Sequence, residues 1–125
     1  MSFLRKLLGE KPKGNNNPNH TDKPVEHAVI VYFDNYGGTD LKRLHQTENR
    51  LRQAVDGHGL GEYDGHELNV NGTDGTLYMY GPDADAIFDA VKPILFEVDW
   101  LQNSRIKLRY GPPEDGVKER HIELQ

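Results

Sequence analysis

The apolar positions of the chain fall into short runs whose spacing alternates between strand-like and helix-like. Residues 28–33 form a nearly continuous apolar run with β-branched residues at its centre, as expected of a buried central strand. Residues 105–110 alternate between apolar and polar side chains, which predicts a half-buried strand. Two amphipathic segments and two more strand-like segments, at 61–70 and 76–80, lie between these runs. The predicted order of elements is therefore β-α-β-β-α-β.

The first amphipathic segment follows the break at residues 35–38 and extends to about Asp56. Thr39 or Asp40 can cap this helix, and Gly57 is a plausible stop after its last turn. Its predicted inward-facing residues are Leu41, Leu44, Leu51 and Val55.

The second amphipathic segment opens with Pro82, because proline is tolerated in the first turn of a helix. Pro93 lies inside the segment and removes a backbone donor, so we expect a kink or an early end near Lys92. Its predicted inner stripe consists of Ala84, Ile87, Phe88, Val91, Leu95 and Val98.

Turns and crossovers define a topology. Asn71-Gly72 or Asp74-Gly75 predicts a hairpin between the second and third strands, and residues 117–124 can return as a fifth strand beside the fourth. With right-handed crossovers, the sequence predicts an α+β fold, a two-layer ferredoxin-like sandwich with sheet order 5-4-1-3-2 and both helices on one face.

Composition and charge bound the domain organisation. The 125 residues suffice for one domain, and we divide them into a short amphipathic segment at 1–8, a polar linker at 9–26 and a single domain at 27–125. Residues 1–14 hold four basic side chains and one acidic one, so the net charge of −5 leaves −8 on the other 111 residues. An acidic domain disfavours nucleic acid and suits a basic protein partner.

The absence of cysteine excludes disulfides and thiolate metal sites, which makes a reducing cytoplasm the expected location. No apolar run approaches the roughly 20 residues that span a bilayer, and no signal peptide is recognised in the first residues. We therefore expect no transmembrane segment. No phosphate-loop motif and no dinucleotide fingerprint is present, so we also expect no cofactor.

Three segments suggest a family: residues 61–67, residues 77–85 and residues 108–113. Together they resemble a group of small uncharacterised bacterial proteins, and the most specific part is the Tyr-Gly-Pro-Asp-Ala-Asp stretch at 80–85. The resemblance covers about residues 28–124. It implies a bacterial, ferredoxin-like domain, and it brings no established activity and no site residues.

The face of the predicted sheet away from the helices carries aromatic and basic side chains. Tyrosine and arginine are enriched at the centres of protein interfaces, so we interpret this face as a surface for a protein partner. The partner is either a second copy or, if the acidic chain acts as an immunity-like protein, a basic toxin. Single-stranded RNA is the alternative ligand, although no RNP-type pattern is present. The predicted surface residues are Tyr32, Tyr78, Tyr80, Arg105, Lys107 and Arg109.

The run Glu62, Asp64 and His66 contains ligand types for a divalent metal. Alternate strand residues lie about 6.6 Å apart, so the three can meet one ion only if a bulge intervenes, for example at Gly65. A solvated edge strand is the simpler interpretation, and we assign no metal. The alternative function is a metal-dependent enzyme that uses the region from Glu62 to Glu67. Asp34 and His45, with the carboxylates near residue 64, are the remaining acid–base candidates.

Overall fold

The computed structural model describes residues 26–125, and the predicted segment 1–8 and nearly all of the predicted linker lie outside them. The described residues form five strands, two α-helices and a short 3-10 helix at Asp99–Leu101. The strands are β1 (His27–Phe33), β2 (Glu62–Leu68), β3 (Gly75–Gly81), β4 (Arg105–Arg109) and β5 (Glu119–Glu123). The helices are α1 (Lys42–Val55) and α2 (Ala84–Glu97).

The five strands form one antiparallel sheet in the order β2-β3-β1-β4-β5. The predicted order, 5-4-1-3-2, is the same order counted from the other edge, so it is confirmed. The structure is a mixed α+β fold, and the strand order is consistent with a ferredoxin-like sheet.

Both helices pack against the same side of the sheet, because side chains from both belong to one core cluster with alternate residues of the strands. Val31 of β1, Leu77 of β3 and Ile106 of β4 illustrate the sheet's contribution, and each is almost completely buried. The predicted stripe of α2 is confirmed from Ala84 to Leu95, and Val98 packs against the core just after the helix ends.

Helix α1 begins at Lys42, and the Oδ1 atom of Asp40 accepts a hydrogen bond of 3.0 Å from the backbone N–H of that residue. Leu44, Leu51 and Val55 are buried as predicted, and Leu41 is half-buried against the core. Asp40 thus supports the first turn, although the residue in the cap position is Leu41.

Helix α2 differs from its prediction at two prolines. Pro82 lies before the cap residue Asp83, whose side chain accepts a 3.1 Å hydrogen bond from the N–H of Ala86. Of the two outcomes expected near Lys92, the early end is wrong, because the helix continues through Pro93 to Glu97, and the kink stays a prediction. Pro93 and Asp89 are both exposed, so water can satisfy the carbonyl that loses its backbone partner.

None of the helices in residues 26–125 is long and apolar enough to cross a membrane.

Tyr36 belongs to the core, although its sequence context predicts only a turn. Its ring packs edge-on against Trp100 at 4.9 Å and against Phe33 at 6.4 Å between centroids. The phenol oxygen accepts a 3.2 Å hydrogen bond from the N–H of Leu44. Tyr36 therefore attaches the β1–α1 loop to the first turn of α1.

Candidate interaction surface

The side of the sheet opposite the helices, which we call the outer face, is a grid of three rows crossing five strands. Residues directly opposite each other in antiparallel strands share a face, so the strand registers define the rows. From β2 to β5 the rows are Glu62, Tyr80, Ala28, Arg109, Glu119; Gly65, Tyr78, Ile30, Lys107, His121; and Glu67, Thr76, Tyr32, Arg105, Glu123. Within residues 26–125, neither α-helix packs against this face.

Each strand gives the outer face a different chemistry. Going from β2 to β5, the columns are acidic, mainly aromatic, mainly apolar, basic, and acidic with one histidine. All six residues that the sequence analysis assigned to a binding surface lie in these columns. The structure therefore brings them onto one face, and their role in binding stays a prediction.

The middle of the outer face is well covered by its own side chains. Ala28 and Ile30 are only 0% and 7% exposed, although no helix lies over them in the described part of the chain. Arg109 is 8% exposed, and its Nε donates a 2.6 Å hydrogen bond to the carbonyl of Gly111. Arg109 thus acts mainly as a cover for the apolar column, so the accessible cations are Arg105 and Lys107.

The charged groups of the outer face have neighbours within the chain. Lys107 Nζ lies 3.8 Å from Glu119 Oε2, and Arg105 lies 3.6 Å from Asp34 Oδ1 with its guanidinium 5.9 Å from the ring centroid of Tyr32. The Arg105–Asp34 pair is exposed and the Lys107–Glu119 pair is partly exposed. Pairs that water reaches contribute little to stability, and a binding partner can replace them at small cost.

The phenols of Tyr78 and Tyr80 titrate above the ordinary range. Burial and a 2.6 Å hydrogen bond donated to Glu67 Oε1 raise the pKa of Tyr78 to about 12. Burial also raises the pKa of Tyr80, and the charge of Asp64 adds to this while Arg109 opposes it. Both phenols therefore stay protonated to a higher pH than an ordinary tyrosine.

The contact between α1 and β2 contains a buried carboxylate that the sequence analysis missed. Glu48 is 6% exposed, and its Oε2 accepts a 2.7 Å hydrogen bond from the Tyr63 hydroxyl and lies 2.8 Å from Nδ1 of His66. Burial is the main reason why the pKa of Tyr63 is raised above its usual value, and the negative charge of Glu48 adds to the increase. The signal was present in the sequence, because Glu48 lies four residues after Leu44 and so interrupts the apolar stripe of α1.

The predicted metal candidates are divided between the two sides of β2. The register shifts between Tyr63 and Gly65, so the bulge that the metal hypothesis required is present. Glu62 nevertheless lies opposite Tyr80 on the outer face, whereas His66 contacts Glu48 of α1. In the described residues, no group of three or more histidine, aspartate or glutamate side chains has the arrangement of a metal site.

The acid–base candidates have separate surroundings. Asp34 pairs with Arg105 at the end of β1, and the ring of His45 lies 6.3 Å from that of His66 on the α1 side. Ser104 is completely buried, and its hydroxyl has no hydrogen-bond partner among the described residues.

In the comparison with known proteins, no family model, no curated protein and no solved structure matches this chain. The bacterial family inferred from the Tyr-Gly-Pro-Asp-Ala-Asp stretch stays a prediction. The class of the protein is therefore defined by its own geometry, as an α+β domain with a helix-covered inner face and an amphipathic outer face.

Proposed function

We propose that this chain is a noncatalytic interaction domain of ferredoxin-like architecture that binds protein through its outer face, with a second copy of the chain as the partner. The observation that carries the proposal is the grid itself. It places the partly exposed Tyr78 and Tyr80 beside the mainly apolar column that contains Tyr32, and it surrounds them with charged margins. Aromatic centres with polar rims are the usual composition of protein interfaces.

The surroundings of the cations favour protein over nucleic acid as the partner. Lys107 has Glu119 nearby and Arg105 has Asp34 nearby, so a phosphate approaching either cation also meets a carboxylate. The acidic charge outside residues 1–14 opposes a polyanion further.

The titratable cluster at Glu48 supports a structural role. Its carboxylate connects α1 to β2 through Tyr63 and His66, and the same oxygen atom serves both contacts. A buried, hydrogen-bonded carboxylate of this kind fixes the position of the edge strand that carries Glu62 and Glu67.

Sedimentation of the full chain over a wide concentration range tests the proposal. We expect the average mass to rise with concentration, and the double variant Tyr32→Ala/Tyr78→Ala to weaken association by at least about tenfold, since both rings lie in the proposed interface. Phe96→Ala is the matched control, because Phe96 is an exposed aromatic residue on α2. A monomer at every concentration, or equal weakening by the control, would contradict the proposal.

A further inference from the structure

We infer that two copies meet outer face to outer face about a twofold axis that runs parallel to the strands, between β3 and β1. This arrangement rests on the self-association proposed above and specifies which side chains meet. A twofold interface uses the same patch on both copies, so the patch must be complementary to itself. The columns of the outer face fulfil this condition for one position of the axis.

An axis between β3 and β1 places each acidic β2 column over the partner's basic β4 column. Rotation about an axis parallel to the strands keeps each row at its own height, so Glu67 lies over the partner's Arg105. In the same way, Tyr78 lies over the partner's Ile30, and the aromatic and apolar columns form the centre of the interface. Every such contact occurs twice in the dimer.

The distance between two packed sheets suits the proposed pairs of side chains. Facing sheets pack about 10 Å apart with their strands nearly aligned, and a glutamate and an arginine that extend toward each other span roughly that distance. Lys107 lies over the partner's Gly65, which has no side chain. The lysine therefore has room beside the partner's tyrosine column.

Other positions of the axis bring like charges together. An axis along β1 places the acidic β2 column over the partner's acidic β5 column, where Glu62 meets the partner's Glu119 and Glu67 meets the partner's Glu123. An axis across the strands places each column on itself, so Arg105 meets the partner's Arg109. Like charges across an interface oppose association.

The size of the overlap indicates a weak dimer. The overlap of four columns and three rows measures roughly 19 Å by roughly 17 Å of flat sheet. Its area is smaller than the roughly 800 Å² that each partner contributes to a standard interface. We therefore expect association in the micromolar range or above, which is why the measurements need high protein concentrations.

Charge reversal tests the axis. Glu67→Arg alone places arginine over the partner's Arg105 twice, and Arg105→Glu alone places glutamate over the partner's Glu67 twice, so each variant should weaken self-association by at least about tenfold. An equimolar mixture of the two variants restores opposite charges at both positions of a heterodimer. We expect the mixture, and also the double variant Glu67→Arg/Arg105→Glu, to associate within about threefold of the unmodified chain.

Asp89→Arg is the matched control, because Asp89 is exposed on α2, on the other side of the sheet, and this charge reversal should change association by less than about twofold. Circular dichroism of each variant establishes that it is folded. If the unmodified chain associates but the mixture fails to recover, the axis is wrong and the proposed function stands. If the unmodified chain is monomeric, both proposals are overturned.

Discussion

Two adjacent residues of β1 show how differently the two faces of the sheet are closed. Val31 faces inward and lies in the core cluster with side chains of both helices. Ile30 faces outward and is nearly as well buried, yet its neighbours across the strands are Tyr78 and Lys107. Long side chains can cover an apolar column with their stems while their polar ends remain in water.

The comparison teaches that burial has a different meaning on each face. An inner side chain is surrounded by apolar atoms, so its removal leaves a cavity that the structure cannot fill. An outer side chain is covered by flexible neighbours, which can rearrange or be displaced by a partner. Burial on the outer face is therefore compatible with binding.

The largest expected effect comes from truncating two neighbouring side chains of β3, one on each face of the sheet. Leu77→Ala should reduce the free energy of unfolding by about 3 kcal/mol, because Leu77 is completely buried in the core. Tyr78→Ala, one residue further on the outer face, should cost only about 1 kcal/mol, since the ring is partly exposed. Urea unfolding at a concentration where the chain is monomeric measures both values. Equal costs would show that the outer face is as rigidly packed as the core.

A smaller effect is expected where a polar group enters the inner layer. Glu48→Gln keeps the volume of the side chain but weakens the bonds to Tyr63 and His66, so we expect a loss of about 2 kcal/mol in the free energy of unfolding. Glu97→Gln is the control, because Glu97 forms an exposed ion pair with Arg50 and should cost less than about 0.5 kcal/mol. Similar losses would mean that Glu48 is far better solvated than its burial indicates.

Much of the fold was predictable because periodicity reports which side of an element is apolar. The alternation at 105–110 and the stripe from Ala84 to Leu95 place their residues as the structure does. The common face of the six predicted residues was predictable for the same reason, because strand alternation and sheet order together assign residues to a face, and their role in binding stays a prediction.

The remaining features depend on contacts between distant residues, which periodicity does not report. Tyr36 is buried because Trp100, 64 positions later, lies against it. Arg109 is covered because its guanidinium bends to Gly111, and Glu48 is tolerated in the inner layer because β2 supplies two partners. Helix α2 continues past Pro93 because the unpaired carbonyl is on an exposed side, which the sequence alone does not reveal.

Alkaline titration separates the two faces by their tyrosines. The pKa of Tyr63 and that of Tyr78 are both raised, the latter to about 12, so above pH about 10 the unfolded chain loses these protons before the folded chain does. The folded state then binds more protons, and stability must fall as pH rises from about 10 toward 12. Urea unfolding between pH about 8 and about 12 measures this slope.

Phenylalanine variants assign the slope to a face. Tyr63→Phe should flatten the alkaline decline most, because Tyr63 is buried beside the Glu48 carboxylate. Tyr78→Phe should flatten it by a similar amount up to pH about 11 and by less toward pH about 12, where that phenol begins to ionise in the folded chain. A decline that neither variant changes would show that other groups cause the alkaline loss of stability.

The smallest expected effect concerns a hydroxyl on each face. Ser104 is buried on the inner side just before β4, and among the described residues its Oγ has no partner, so Ser104→Ala removes an unsatisfied polar group. We expect unchanged stability or a gain of up to about 1 kcal/mol in the free energy of unfolding. Thr76→Ala on the outer face should instead cost a few tenths of a kcal/mol (about 0.5 at most), because water can reach that hydroxyl and threonine favours strands. Thermal unfolding of both variants decides the sign, and a loss of stability in Ser104→Ala would mean that a water molecule or another partner satisfies the inner hydroxyl.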